Sequence, residues 1–173
     1  MTYATAALAR VDSAWFGDEL ELDEVEDLDG VVELLREVVG DDAETALLFV
    51  EEDDEWFAVL RIDADDDPRA FVSDSRVVTS SEIAGLFAEA AIDAATEDAD
   101  SDDEEDDTDD ENDDGILSDS NPAGDIGLLA DLGTPAARLV ELCNEEGQLP
   151  SDVISTLCEA AGCLDVLEKL RGV

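Results

Sequence analysis

The sequence predicts an α+β protein: a small antiparallel sheet with two packed helices, then an acidic disordered linker and a helical C-terminal region. Three observations carry that reading. Short apolar runs between positions 2 and 72 are separated by turns rich in Asp and Glu, and connectors this short join antiparallel neighbours. Two other stretches repeat their apolar residues at helical spacing. Positions 102–114 hold 11 acids and no hydrophobic side chain, so they have nothing to bury and are expected to stay disordered. The expected divisions are 1–95 for the sheet domain, 96–121 for the linker and 122–173 for the short helices.

Thr2 to Val11 is an apolar, Ala-rich run with Tyr3 and Thr5 and reads as a first strand, although alanine is a poor strand former. Trp15 to Leu22 follows as a second. Asp29 can cap a helix whose apolar positions are Val31, Leu34, Leu35, Val38 and Val39, with Gly40 placed to end it. Three strands are expected at Thr45–Val50, Trp56–Ile62 and Arg69–Val72. In the middle one Trp56, Ala58, Leu60 and Ile62 point one way and Phe57 and Val59 the other, so both faces need cover. A second helix is expected from a Thr79–Glu82 capping box through Ile83, Leu86, Phe87, Ala90 and Ala94. After Gly115, the punctuation at Thr134–Pro135, Gly147, Pro150 and Gly162 predicts three or four short helices. Their inward residues are Leu139, Leu142, Cys143, Val153, Ile154, Leu157, Cys158, Leu164, Leu167 and Leu170. So few residues of short helix are marginal alone. They are expected to dock on the sheet, on a second copy or on a partner.

Charge narrows the function. The net charge of -43 divides into -21 over residues 1–92 (26 acids, 5 bases), -15 over 93–114 and -7 over 115–173. Such a field repels phosphate backbones and anionic lipid, so neither direct nucleic-acid binding nor membrane binding is expected. It favours encounter with a basic protein surface, while the plainer reading is that it keeps the protein soluble. The opening residues carry no basic leader and no run approaches the roughly 20 apolar residues of a membrane span. With three unframed cysteines, Cys143, Cys158 and Cys163, this predicts a cytoplasmic protein.

The sequence contains no histidine. That removes Ser-His-Asp and Cys-His catalysis, His-ligated zinc and the histidine of the zinc deaminase signature. No Cys-x-x-Cys pair, Gly-rich phosphate loop or Gly-x-Ser-x-Gly elbow is present. Cys158 and Cys163 read as small apolar residues. Asp110, Asn112, Asp114 and Gly115 mimic the start of a calcium loop, but the twelfth position is Asn121 and Pro122 opposes an exiting helix. No catalytic residue, cofactor or metal site is expected. Arg61, Arg69 and Arg76 stand among carboxylates and are expected to neutralise them within the fold. The residues offered as partner contacts are Trp56, Arg61, Arg69 and Phe71, which serve equally well as core or fold support.

Two stretches carry a resemblance. Asp54 to Asp74, reading DEWFAVLRIDADDDPRAFVSD, and Pro122 to Arg171, opening PAGDIGLLADLG, are similar to the actinobacterial tRNA adenosine deaminase-associated proteins. The opening, with Trp15 and an Asp-rich lead into a Val/Leu helix, resembles the same family, so only the acidic run stands outside. The resemblance implies a partner, a tRNA adenosine deaminase, and carries over no catalytic residue.

The leading expectation is a non-catalytic acidic accessory or regulatory protein that binds a basic protein, a tRNA adenosine deaminase first among candidates. The alternative is a self-associating acidic structural protein with no RNA connection, for which a homo-oligomer is the mark. A carboxylate-based enzyme would need a pocket holding acids of raised pKa.

Overall fold

The structure is a computed structural model that describes residues 3–63, 68–87, 122–145 and 147–172. Six strands form one antiparallel sheet in the order β2-β1-β3-β4-β5-β6. They are β1 (Tyr3–Val11), β2 (Ala14–Asp18), β3 (Thr45–Glu52), β4 (Trp56–Asp63), β5 (Arg69–Val72) and β6 (Ala123–Gly124). Among the helices are α1 (Leu28–Val39), α2 (described over 82–87), α3 (Ala136–Asn144), α4 (Pro150–Ala161) and α5 (Leu164–Arg171). The α+β expectation holds. The acidic linker expected at 96–121, the calcium-loop mimic at 110–115, Ala90 and Ala94 lie outside the described residues.

Hairpin turns set the register. Asp12 and Ser13, with φ of 49° and 67°, join β1 to β2, and Asp53 and Asp54, at 52° and 56°, open the β3–β4 turn. Successive positive φ values give the backbone twist that matches paired strands, and Asp tolerates them better than most side chains. β2 and β3 both run antiparallel to β1 on its two sides. The connection through α1 therefore crosses over β1 and covers it.

Each strand alternates between two cores. Ala7, Ala9, Leu48, Val50, Trp56, Ala58, Leu60, Ile62, Ala70 and Val72 pack against Val31, Val32 and Leu35 of α1 and Ala84, Leu86 and Phe87 of α2. Ala6, Leu8, Leu47, Phe49, Phe57, Val59 and Phe71 pack against Leu128, Leu129, Leu132 and the inward faces of α3, α4 and α5. The C-terminal helices thus dock on the sheet of the same chain. Antiparallel sheets commonly leave one face to water. Here both are covered, so the strands read as unbroken apolar runs. The alanines of β1 also find their reason: α1 and α5 lie over opposite faces of that strand, and small side chains let both approach. A Cβ at Gly17 of β2 would sit 2.7 Å from the Ala7 carbonyl oxygen and 2.9 Å from Val166 of α5.

Some local expectations shift: the second strand, expected over Trp15–Leu22, runs from Ala14 to Asp18. The α1 cap is Asp27, whose side chain accepts the Gly30 N–H at 2.9 Å, while Asp29 sits inside the first turn. Gly40 ends the helix as expected, with φ 80° and its N–H on the Arg36 carbonyl. The helix expected from Thr79 starts later, because Ser75–Thr79 forms a 3-10 turn and Ser81 supplies the cap. The Ser81 hydroxyl oxygen accepts the Ala84 N–H at 3.2 Å and its proton goes to the Glu52 carboxylate. Glu52 is 4% exposed, so one hydroxyl serves both a helix end and a buried charge. Ser81→Ala is expected to cost about 1–2 kcal/mol, read as a lower urea midpoint with an unchanged slope. A loss within about 0.3 kcal/mol would show that Glu52 repairs itself.

In the C-terminal region, expected to hold only helices, one element differs. Ala123 and Gly124 add β6 to the free side of β5, pairing Val72 with Ala123 and Phe71 with Gly124. Two residues are too few to show any period. Gly124 takes φ 102°, and a Cβ there would collide with the Ala70 carbonyl oxygen. Pro150 opens α4 and Gly162 closes it at φ 87°, as the punctuation predicts. Thr134 makes no capping bond to α3, whose N-cap is Pro135.

Candidate functional site

The sheet's β4–β5 edge carries an ionic junction. Arg61 lies on the β4 face that the C-terminal region covers, and it is 4% exposed. A guanidinium can stay there only if its donors are met. Its Nη1 donates to the Leu128 carbonyl and the Asp131 carboxylate, Nη2 to Asp131 Oδ2 at 2.8 Å, and Nε to Asp63 Oδ1 at 3.1 Å. Arg69 adds a second bridge, from Nη2 to Asp63 Oδ2 at 3.0 Å and from Nη1 to Asp125 Oδ2 at 3.3 Å. Asp125 also accepts the Gly127 N–H at 3.0 Å, which shapes the turn after β6. The hydrogen bond from Arg61 holds the Asp131 carboxyl below its ordinary range despite some burial, and the same bond raises Arg61. This paired contribution is complete above the usual aspartate range and is lost as pH falls through the lowered value of Asp131.

The four residues offered as partner contacts do not form one surface. Trp56, 2% exposed, lies in the α1 core and Phe71, fully buried, in the opposite core, its ring 6.0 Å from that of Phe57. Arg61 is enclosed in the junction, and Arg69 alone is more than a third exposed at its side chain. Arg76 pairs with Asp74 at 2.6 Å. The acids that meet Arg61 and Arg69, namely Asp63, Asp125 and Asp131, were not singled out from the sequence. An arginine inside an apolar strand signals that a carboxylate must come to it, but not which one of 51 acids.

The cysteines are packing residues in place. Cys158 and Cys163 are fully buried and sit across the α4 terminus, where the Cys163 N–H reaches the Cys158 carbonyl at 2.9 Å. That closure brings the two side chains together, as helix-ending motifs of this kind do. Burial pushes the Cys143 thiol up to about 12, away from the thiolate that nucleophilic or metal chemistry uses. Among the described residues no three His, Cys, Asp or Glu side chains converge as metal ligands, and no helix is long and apolar enough to cross a membrane.

On the opposite side of the molecule runs an open groove of about 1080 Å³ between α1 and the segment that leads into it. Its lining includes nine acids, from Asp18 to Glu37, and no base. Leu20, Val25, Leu34 and Val38 give it an apolar floor. Fields of one sign add in a concave surface with low-dielectric walls, so the groove attracts cations.

The two sequence blocks that carry the family resemblance meet at the ionic junction: Arg61 and Arg69 come from the first, Asp125 and Asp131 from the second. A family model described as Rv3753c-like tRNA adenosine deaminase-associated protein matches residues 3–164. The chain belongs to that family. The match spans the sheet, the junction and α1 to α4, and ends at the first residue of α5. No curated protein matches the chain. Nor does any solved structure. The family description is one of association with a deaminase, which points to an accessory role.

Proposed function

We propose that this member of the deaminase-associated family is a non-catalytic cytoplasmic accessory protein that binds a basic protein surface, with a tRNA adenosine deaminase as the first candidate. The observation that carries the reading is the groove along α1, where nine carboxylates surround an apolar floor with no base among the lining residues. Carboxylates at its rim steer a basic partner in, and the half-buried Val25, Leu34 and Val38 give the complex apolar area to bury. An enzyme that handles tRNA carries basic surface for phosphate contacts, and an acidic companion fits there without any metal ligand of its own. The absence of histidine fits a companion better than a second deaminase.

Titration calorimetry with a purified tRNA adenosine deaminase tests the reading at about 50 mM and about 500 mM salt, since screening shortens from roughly 14 Å to 4 Å over that range. Affinity is expected to fall by at least tenfold. The triple change Glu26→Gln, Glu33→Gln and Glu37→Gln is expected to weaken low-salt binding about three- to tenfold, at some tenths of a kcal/mol per rim charge. Affinity that ignores both salt and the triple change would sink the electrostatic mechanism. No binding at all, with a stable homo-oligomer in its place, would favour the self-associating alternative.

A further inference from the structure

A second concavity lies under the C-terminal helices, where β1 begins and β3 ends. It encloses about 260 Å³. Glu51 of β3 stands opposite Ala4 of β1 and Phe57 of β4, on the face covered by α4 and α5. Its side chain is 16% exposed, and its Oε2 atom is buried without a hydrogen-bond partner among the described residues. Arg171, from the last turn of α5, forms a long ion pair with that oxygen, its Nη2 3.7 Å away and beyond hydrogen-bond reach. The guanidinium is held back because Nη1 donates to the Ser151 carbonyl at 3.2 Å and to Ser155 Oγ at 3.1 Å. Burial raises the Glu51 carboxyl above its ordinary range, Arg171 opposes this, and Asp54 and Asp152 add to it.

A buried carboxylate oxygen with no donor costs free energy, and a cavity beside it offers room for the donor to come from outside. The sign of that donor follows from the surroundings. Two carboxylates, Glu19 and Glu51, line the cavity against the single Arg171, and Asp54 and Asp152 act on Glu51 with the same negative sign, so an anion is opposed and a cation drawn in. The walls, Ala6, Phe49, Ile154 and Leu170, suit methylene groups and not a hydrated metal ion. We propose that the cavity between β1, β3, α4 and α5 is a binding site for an alkylammonium group, with Glu51 as its hydrogen-bond acceptor. Lysine side chains and free amines share this chemistry. The site is a separate concavity from the acidic groove, although Glu19 lines both.

The test uses the full chain and amide chemical shifts. n-Butylammonium and Nα-acetyl-lysine N-methylamide serve as separate probes. Saturable shifts are expected at Ala4, Ala6, Glu51 and Leu170, with n-butanol giving none. Glu51→Gln, nearly isosteric and relieved of a buried charge, is expected to melt no lower than the parent and to bind at least about tenfold more weakly. Arg171→Met removes the competing cation and is expected to bind several-fold more tightly. Equal affinity for both probes assigns a lysine side chain, and preference for butylammonium assigns a free amine. Shifts that fail to saturate, persist in Glu51→Gln, or appear only along α1 would overturn the site and leave a hydrated crevice.

Discussion

Phe71→Ala is expected to cost about 3–5 kcal/mol, the range for removing a buried aromatic ring, and to lower the melting temperature by roughly 6–20 °C. The ring is fully buried at the centre of the sheet face that the C-terminal region covers. Its neighbours leave little scope for collapse: Val59 lies beside it in register, Gly124 on the other side, and Phe57 at an interplanar angle of 42°. β6 pairs with the same backbone, so a shift of β5 would also disturb the start of the C-terminal region. Phe16→Ala gives the contrast. At 40% exposure on β2, it is expected to change stability by no more than about 0.5 kcal/mol. Similar losses for both variants in urea unfolding would contradict the two-core description.

Arg61→Met is the second large effect, about 2–4 kcal/mol. Methionine keeps the bulk but leaves the Leu128 carbonyl without the donor it has in the parent, and hydrogen bonds to a charged group are worth about 1.5–3 kcal/mol. The Asp131 carboxylate is 61% exposed at its side chain and can return to water, which keeps the loss below that of breaking a fully buried pair. The pH response separates these parts. The parent should lose stability as pH falls through the lowered value of Asp131, by less than about 1 kcal/mol because the pair is half open to solvent. Arg61→Met should lack that component. A variant that keeps the parent's acid profile would show that Asp131 is not stabilised by Arg61.

The strands from Thr45 to Val72 were legible in the sequence because their turns and their alternation agree. Phe57 and Val59 facing away from Trp56 and Leu60 already demanded cover on both faces, and the two cores supply it. The C-terminal helices were legible from Pro150, Gly162 and the spacing of Leu157, Leu164 and Leu167. What could not be read came from pairings distant in sequence. β6 exists because Ala123 and Gly124 meet a strand some 50 residues earlier, and two residues have no pattern of their own. The cap at Ser81 displaced the one expected at Thr79 because a buried Glu52 claims the Ser81 hydroxyl. The ionic junction was half legible: the arginines stood out among so many acids, but their partners lie up to 70 positions away. The cavity at Glu51 left no trace, since one more glutamate in so acidic a chain is no signal.

The order in which the sheet's two faces are covered bears on synthesis. α1 and the described part of α2 lie before residue 88, so the face they cover can close early. Leu47, Phe49, Phe57, Val59 and Phe71 must wait for Leu128 and everything after it. At roughly 5–20 residues per second, the nascent chain spends several seconds on the ribosome with that apolar face bare. A net charge of -21 on the first 92 residues repels neighbouring nascent chains of the same kind during that interval.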